Sequence, residues 1–180
     1  MILPHLDPNW TENFDFLRPE PDSWSRNNLL YYLSKLSKAS VTVEVGIGSW
    51  CNGIYAFGKH AQEVDGLHCS IDIYHGWCNR ANIINEHYGF PSEVICADSK
   101  TVKWKRWINL CYIDGDHSYD GVVGDIINFA PKIRRAGLLI FDDYGKKHLE
   151  VTQAVDEMYD PNKWEMTIFP VAWWAIWRRK

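Results

Sequence analysis

Carboxylate and imidazole side chains are concentrated after two apolar runs in this sequence. Asp114 and Asp116 follow the first run together with His117, and the adjacent pair Asp142 and Asp143 follows the second. Carboxylates that lie close together repel one another unless a cation is placed among them. Oxygen ligands of this kind suit a hard divalent ion such as Mg²⁺. We therefore expect a magnesium site here, although Asp142 and Asp143 would also suit a turn or helix cap, with Asp116 simply solvated.

Glycines and further acidic residues follow three earlier apolar runs. Gly46 and Gly48 come directly after Glu44 in a turn that would open a helix, which lets a ligand approach the backbone closely. Asp72 stands about 25 residues beyond that turn, where a ribose diol is hydrogen-bonded in open α/β sheets. Asp98 follows the third run. This series indicates a ribose-bearing ligand, although a lone glycine turn is also a common tight connection.

Apolar, β-branched runs alternate with segments of helical length, which predicts βαβ units and a parallel sheet. The expected strands are 40–45, 67–73, 93–97, 108–113 and 137–141, and the expected helices are 23–37, 50–64, 77–88, 119–134 and 148–159. Two closing runs, 164–170 and 171–177, leave no room for a crossover helix and predict an antiparallel hairpin at Pro170. The predicted fold class is therefore α/β, a single Rossmann-like doubly wound sheet of seven strands that is mostly parallel. Ligands of such sheets bind at the carboxyl ends of the strands, where the acidic residues above are placed.

One domain is expected to account for residues 1–180. Residues 1–22 hold four of the eight prolines and are predicted to form an irregular arm. Residues 23–37 would form a leading helix, and 38–145 would form the core that holds the cofactor and metal residues. Residues 146–180 would add a helix and the closing hairpin.

Composition argues against several classes of protein. A net charge of −4 and a pI near 5.9 give no electrostatic reason to expect a nucleic-acid partner. Five cysteines without a C-x-x-C pair do not indicate a disulfide framework or a zinc site. Since the chain has no apolar run of about 18 residues and no basic, apolar leader, we expect a cytoplasmic protein that does not enter a membrane.

Four segments together resemble the class I S-adenosylmethionine-dependent methyltransferases. They are VEVGIG at 43–48, ID at 71–72, ADS at 97–99 and IDGDHSY at 113–119, and the last is followed by LLIFDDY at 138–144, as in one small branch of that class. The resemblance implies that Gly46 and Gly48 contact the methionine part of S-adenosylmethionine, Asp72 the ribose hydroxyls, and Asp98 with Ser99 the adenine side. The implied set of cofactor contacts also includes Glu44, Ser49, Ile73 and Asp114.

The second acidic cluster resembles that of metal-dependent O-methyltransferases of the catechol and caffeoyl-CoA type. In those enzymes, one metal-binding Asp follows the fourth strand and an Asp-Asn pair follows the fifth. Sugar O-methyltransferases place a D-x-x-H motif after the fourth strand, with the Asp on the metal and the His as base. The resemblance implies metal ligation by Asp114, Asp142 and Asp143 and catalysis by His117 with Asp114, although Asp143 stands where the plant and animal enzymes have Asn.

The implied reaction is metal-assisted methylation of a hydroxyl on a small-molecule acceptor. The alternatives are an NAD-dependent oxidoreductase, a hydroxylase-like relative, or a catalytically inactive relative of the same fold. Cys51 stands where the dinucleotide fingerprint requires a third Gly or Ala, which counts against the oxidoreductase. His117 has a second interpretation, in which it only hydrogen-bonds a backbone group and orients its neighbours.

Ten tryptophans are an unusually large number for 180 residues. Six are expected to pack in the core and the closing hairpin, with Trp173 and Trp177 on one face of the last strand: Trp104, Trp107, Trp164, Trp173, Trp174 and Trp177. An exposed remainder on the hairpin would indicate a homo-oligomer. The other four lie beside the arm or the ligand-end turns, where they could stack on adenine or on an aromatic or sugar-like acceptor: Trp10, Trp24, Trp50 and Trp77.

Overall fold

The computed structural model describes residues 26–145, 148–170 and 172–180, together with the side chains from residue 27 onward in those ranges. The predicted arm 1–22, Trp10, Trp24 and the start of the leading helix lie outside the described residues. The elements in chain order are α1 Arg26–Leu36, β1 Val41–Val45, α2 Asn52–Val64, β2 Leu67–Asp72, α3 His75–Tyr88, β3 Ser92–Cys96, β4 Ile108–Ile113, α4 Tyr119–Phe129, β5 Ile133–Phe141, α5 Leu149–Met158, β6 Trp164–Phe169 and β7 Trp174–Arg179. None of the helices in the described ranges is long and apolar enough to cross a membrane.

The described strands form one sheet in the order β3-β2-β1-β4-β5-β7-β6. All pairs from β3 through β5 are parallel, and β7 lies antiparallel between β5 and β6. The predicted fold class is therefore confirmed, including the closing hairpin.

Strand register brings the ligand-end residues to one edge of the sheet. Val45 pairs with Ile71 of β2 and with Ile113 of β4, and Ile113 in turn pairs with Phe141 of β5. Because paired residues lie at the same height, the residues that follow them emerge side by side. The glycine turn, Asp72, Asp114 and Asp142 therefore share one edge.

Both faces of the sheet are covered by helices. One face packs against α4 and α5 in a core that includes Val45, Ile113, Phe129 and Trp177. The other face packs against α1 and α2 in a core that contains Leu30, Phe57, Tyr112 and Trp174, and α3 packs against α2. Strand β4 is buried throughout and is apolar at every position except Asn109, as expected for a parallel sheet covered on both faces.

The largest differences from the predicted boundaries lie at α4, β5 and β7. The helix predicted at 119–134 ends at Phe129, because Pro131 cannot continue a helix and lies in a 3-10 turn over Ala130–Lys132. Strand β5 accordingly begins at Ile133 instead of 137. The last strand runs over Trp174–Arg179 instead of 171–177, because the turn after Pro170 continues to Trp173, whose φ is 60°.

Tryptophans of the hairpin cover both faces of the sheet. Trp174 and Trp177 are three residues apart on β7, so they point to opposite faces, and both are fully buried. The prediction that Trp173 and Trp177 share a face is wrong, since Trp173 precedes the strand and is exposed. Trp104 and Trp164 are buried as expected, but Trp107 is 66% exposed and is not a packing residue.

A pair of tryptophan variants tests this assignment. Trp177 contacts Phe141, Tyr159 and Trp164 in the core, so Trp177→Ala should lower the free energy of unfolding by about 3–5 kcal/mol. The matched control Trp107→Ala removes an exposed ring and should change it by less than about 0.5 kcal/mol. Urea denaturation monitored by circular dichroism measures both values, and equal losses for the two variants would contradict the assignment.

One carboxylate, Asp125, is buried where α4 packs against the turn after β3. The side chain is 1% exposed, and its Oδ1 accepts a hydrogen bond of 2.5 Å from the hydroxyl of Ser99. Burial raises the pKa of Asp125 to about 6, against the opposing effects of the Ser99 hydrogen bond and the Lys100 charge. The folded protein thus binds a proton at Asp125 at pH values where the unfolded chain has released it.

Ionisation of Asp125 should therefore lower the free energy of unfolding as the pH rises. Between pH 4 and pH 7 the wild-type protein should lose about 2–3 kcal/mol of unfolding free energy relative to Asp125→Asn, because only the wild type must ionise a buried carboxyl. The amide oxygen of Asn can still accept the Ser99 hydrogen bond. Denaturation of both proteins at several pH values measures the difference, and a difference independent of pH would show that Asp125 has an ordinary pKa when folded.

Candidate functional site

A cleft of about 440 Å³ opens at the carboxyl edge of the sheet, above β1, β2, β3 and β4. Nearly all the predicted cofactor contacts line it, together with residues that the sequence did not single out. The lining residues are Val45, Gly46, Gly48, Ile71, Asp72, Ile73, Trp77, Ala97, Asp98, Ser99, Lys100, Asp114, Gly115, Asp116, Gly121 and Asp125.

The glycine turn is fixed by its neighbours on the sheet. Gly46 has a φ of 90°, and a Cβ atom there would overlap the backbone carbonyl of Asp114. Its N–H donates to the carbonyl of Ile71 at 2.8 Å. Only glycine therefore fits at position 46, since any side chain would force the turn away from β4.

Asp72 holds the same turn from the end of β2. Its Oδ2 accepts hydrogen bonds from the backbone N–H groups of Ile47 at 2.8 Å and Gly48 at 3.4 Å, and its Oδ1 accepts one from Tyr74 at 2.8 Å. The carboxylate also lines the cleft and is partly exposed. Asp72 is thus positioned by three backbone donors and keeps lone pairs for hydroxyls of a ligand.

The far end of the cleft combines apolar and polar walls. Ile73 is 72% exposed and Trp77 is partly buried, and both line the cleft as flat apolar surface. Asp98 accepts a hydrogen bond from the N–H of Lys100 at 3.0 Å, and its carboxylate lies 3.9 Å from Nζ of that residue. This end of the cleft thus offers both apolar and acidic surface to a ligand.

A smaller cavity of about 140 Å³ adjoins the cleft and shares Gly46, Gly48 and Asp114 with it. Its walls include Glu44, Ser49 and Trp50, as well as the ring of Tyr112. Glu44 is buried, and its Oε1 lies 3.5 Å from Nε2 of His68 but makes no hydrogen bond among the described residues. Trp50 is 79% exposed, which places an aromatic surface at the mouth of this smaller cavity.

The predicted acidic cluster assembles around His117. Its Nε2 lies 3.5 Å from Asp114 Oδ1 and 3.4 Å from Asp143 Oδ2. That nitrogen is buried and makes no hydrogen bond among the described residues. The interaction with the Asp114 carboxylate raises the pKa of His117, with further contributions from Asp143 and Asp142, although burial opposes them.

Asp142 is the most deeply placed of the three predicted ligands. Its Oδ2 accepts a hydrogen bond from the Tyr112 hydroxyl at 2.9 Å, and its Oδ1 accepts hydrogen bonds of 2.9 Å from Trp174 Nε1 and from the N–H of Asp143. The same Tyr112 hydroxyl lies 3.2 Å from Asp114 Oδ2. The structure thus gathers Asp114, Asp142, Asp143 and His117 at one place, whereas Asp116 faces the cleft and lies 4.0 Å from Lys100 Nζ.

His148 also joins this cluster, although the sequence pattern did not assign it to the metal site. Its Nε2 lies 3.5 Å from Asp143 Oδ2, and its ring stacks on that of His117 with a centroid distance of 4.3 Å. Possible ligand atoms of His117, Asp143 and His148 all lie within 4.8 Å of one another, an arrangement that could hold a metal ion. The available signal was a histidine five residues after Asp143, next to two lysines.

Comparisons with known proteins agree with this geometry. Residues 43–144 match a family described as a methyltransferase domain. No curated protein sequence resembles the chain closely enough to count as a match.

Solved structures with the same fold have low sequence identity. The SAH-bound methyltransferase PaMTH1 of Podospora anserina has a TM-score of 0.72 at 15% identity, over 97% of this chain and 88% of that one. The O-methyltransferase of Bacillus cereus in complex with SAH has a TM-score of 0.68 at 13% identity, over 96% and 87% of the two chains. The O-methyltransferase TomG of Streptomyces achromogenes, solved with SAM and involved in tomaymycin synthesis, has a TM-score of 0.67 at 11% identity, over 97% and 90%.

The family match spans more than half of the chain and includes the glycine turn, Asp72, Asp114 and the pair Asp142 and Asp143. The solved structures show that the fold extends over nearly all of the sequence. The chain therefore belongs to the methyltransferase-domain family, as a class I S-adenosylmethionine-dependent methyltransferase.

Proposed function

We propose that this protein transfers a methyl group from S-adenosylmethionine to a hydroxyl of a small-molecule acceptor, with a divalent ion at Asp114, Asp142 and Asp143. One observation carries the proposal: because of the register of four parallel strands, the cleft and the His117 cluster lie side by side, with Asp114 in both. The family match makes the oxidoreductase alternative less favourable.

Cofactor binding is assigned to the cleft residues. Asp72 would accept hydrogen bonds from the ribose hydroxyls, because its carboxylate is already held by backbone donors and faces the cleft. Adenine would lie between Ile73, Trp77 and the Asp98–Ser99 segment, where apolar surface adjoins polar groups. The methionine part would extend over Gly46 and Gly48 towards the smaller cavity. Relatives of the same fold hold SAM or SAH, which supports this choice of cofactor.

The His117 cluster fits a divalent ion on chemical grounds. Asp114 and Asp143 lie beside the buried Nε2 of His117, which makes no hydrogen bond among the described residues, and the Tyr112 hydroxyl joins Asp114 to Asp142. When bound, such an ion would lower the pKa of an acceptor hydroxyl. Asp142 would bind the ion with an oxygen whose position its hydrogen bonds already fix, since each carboxylate oxygen has more than one lone pair.

Proton transfer is assigned to His117. Its Nε2 faces the space between Asp114 and Asp143, so an acceptor hydroxyl bound there would lie within reach of it. Much of the rate acceleration would come from holding that oxygen close to the methyl group above the glycine turn. Trp50 at the mouth of the smaller cavity favours a flat or sugar-like acceptor, because such groups stack on exposed aromatic rings.

Cofactor binding can be tested without an acceptor. Asp72→Ala should weaken S-adenosylmethionine binding at least about tenfold in isothermal titration calorimetry, because two hydrogen bonds to a charged group are lost. The matched control Glu86→Ala removes an exposed carboxylate of α3 and should leave the affinity unchanged. Absence of binding heat with the wild-type protein would refute the assigned cofactor, and full affinity of Asp72→Ala would refute the assigned ribose site.

Ion dependence and the base can be tested together with radiolabelled S-adenosylmethionine and a panel of catechols and sugars. Chelation should abolish methyl transfer without abolishing cofactor binding, and added Mg²⁺ or Mn²⁺ should restore transfer. His117→Gln should lower kcat by about 100-fold or more, because the general base is lost, whereas the exposed control His87→Gln should retain full activity. Full activity after exhaustive chelation would refute the ion, and an unchanged kcat in His117→Gln would refute the base.

A further inference from the structure

The side chain of His148 does not cap the helix that begins after it. It immediately precedes α5, but its side chain makes no capping hydrogen bond to that helix. Instead the imidazole turns towards the cluster, where its Nε2 lies 3.5 Å from Asp143 Oδ2. The contact is specific in orientation, because the ring is stacked on His117 at an interplanar angle of 17°.

Two imidazoles therefore face one carboxylate oxygen. The distances from Asp143 Oδ2 are 3.4 Å to His117 Nε2 and 3.5 Å to His148 Nε2. Ligand atoms about 2.1 Å from one ion and 3.5 Å from each other subtend about 110° at that ion, which is an ordinary coordination angle. An ion could therefore bind between Asp143 and His148 without any movement of the two side chains.

We propose that His148 is a nitrogen ligand of the divalent ion, beside Asp143, and that the site consequently prefers a borderline transition ion to Mg²⁺. The inference rests on the proposed function, because the ion is the one proposed to assist methyl transfer. His117, whose Nε2 lies beside Asp114 as well as Asp143, remains the group that accepts the proton.

The preference follows from ligand chemistry. Mg²⁺ binds oxygen ligands and retains water, whereas imidazole suits zinc, iron, nickel and similar ions. Three carboxylates alone would form an oxygen site of the kind expected from the sequence. Adding the His148 nitrogen changes the donor set, so ions such as Co²⁺ and Zn²⁺ should bind more tightly than Mg²⁺.

Co²⁺ binding tests the proposal without cofactor or acceptor. The full-length, metal-stripped protein is titrated with Co²⁺ or Mg²⁺ in a calorimeter, and the visible absorption of bound Co²⁺ is recorded. We expect Co²⁺ to bind at least about tenfold more tightly than Mg²⁺, and His148→Ala to weaken Co²⁺ binding by about 10- to 100-fold with a changed spectrum. His87→Ala, in an exposed part of α3, should match the wild type, and circular dichroism verifies that each variant is folded.

Two results would contradict the assignment of His148 as a ligand. Identical Co²⁺ affinity and spectrum in the wild type and in His148→Ala would overturn the assignment, as would tighter binding of Mg²⁺ than of Co²⁺. Should His148→Ala fail to fold, His148→Gln serves in its place, since the amide keeps a polar group but is a poor ligand for Co²⁺. Failure of the proposed methyl transfer would appear separately, as His148-dependent Co²⁺ binding by a protein that does not bind S-adenosylmethionine.

Discussion

The buried carboxylate of Asp142 ties together the part of the sheet on which the site is built. It accepts hydrogen bonds from Tyr112 on β4 and Trp174 on β7, and it follows directly after β5. Burying a carboxylate is costly unless its oxygens are hydrogen-bonded, and here the two oxygens accept three hydrogen bonds. Because these donors come from different strands, the end of β5 cannot shift without breaking them. Asp143, with a φ of 57°, is held in the left-handed conformation that directs its side chain to His117 and His148.

Much of this architecture could be predicted because it depends on local patterns. Apolar, β-branched runs identify strands, and parallel pairing brings their carboxyl ends to one edge, so Asp72 and Asp114 were predicted to lie at that edge from position alone. The closing hairpin was also predictable, since no crossover helix fits between its runs. Boundaries failed where a single residue decides them, as at Pro131 and at the turn that ends with Trp173.

The missed features depend on packing between distant segments. Asp125 belongs to a helical pattern that looks ordinary in sequence, and only its contact with Ser99 makes it a buried acid. His148 directly precedes a helix, and nothing in the sequence indicates that its ring turns towards Asp143. Likewise, adjacent acidic residues do not reveal that Asp142 is buried on Tyr112 and Trp174 while Asp143 faces the two histidines.

Asp114 links the two halves of the proposed site. Its backbone carbonyl packs against Gly46 so closely that no side chain fits there, and its N–H donates to the carbonyl of Val45 at 2.8 Å. Its carboxylate faces His117 on the other side. Because Asp114 contacts both the glycine turn and the His117 cluster, the distance between them is set by one residue's covalent geometry and not by a flexible loop. In the proposed reaction, that rigidity would keep the acceptor oxygen close to the methyl group without a conformational change at the moment of transfer.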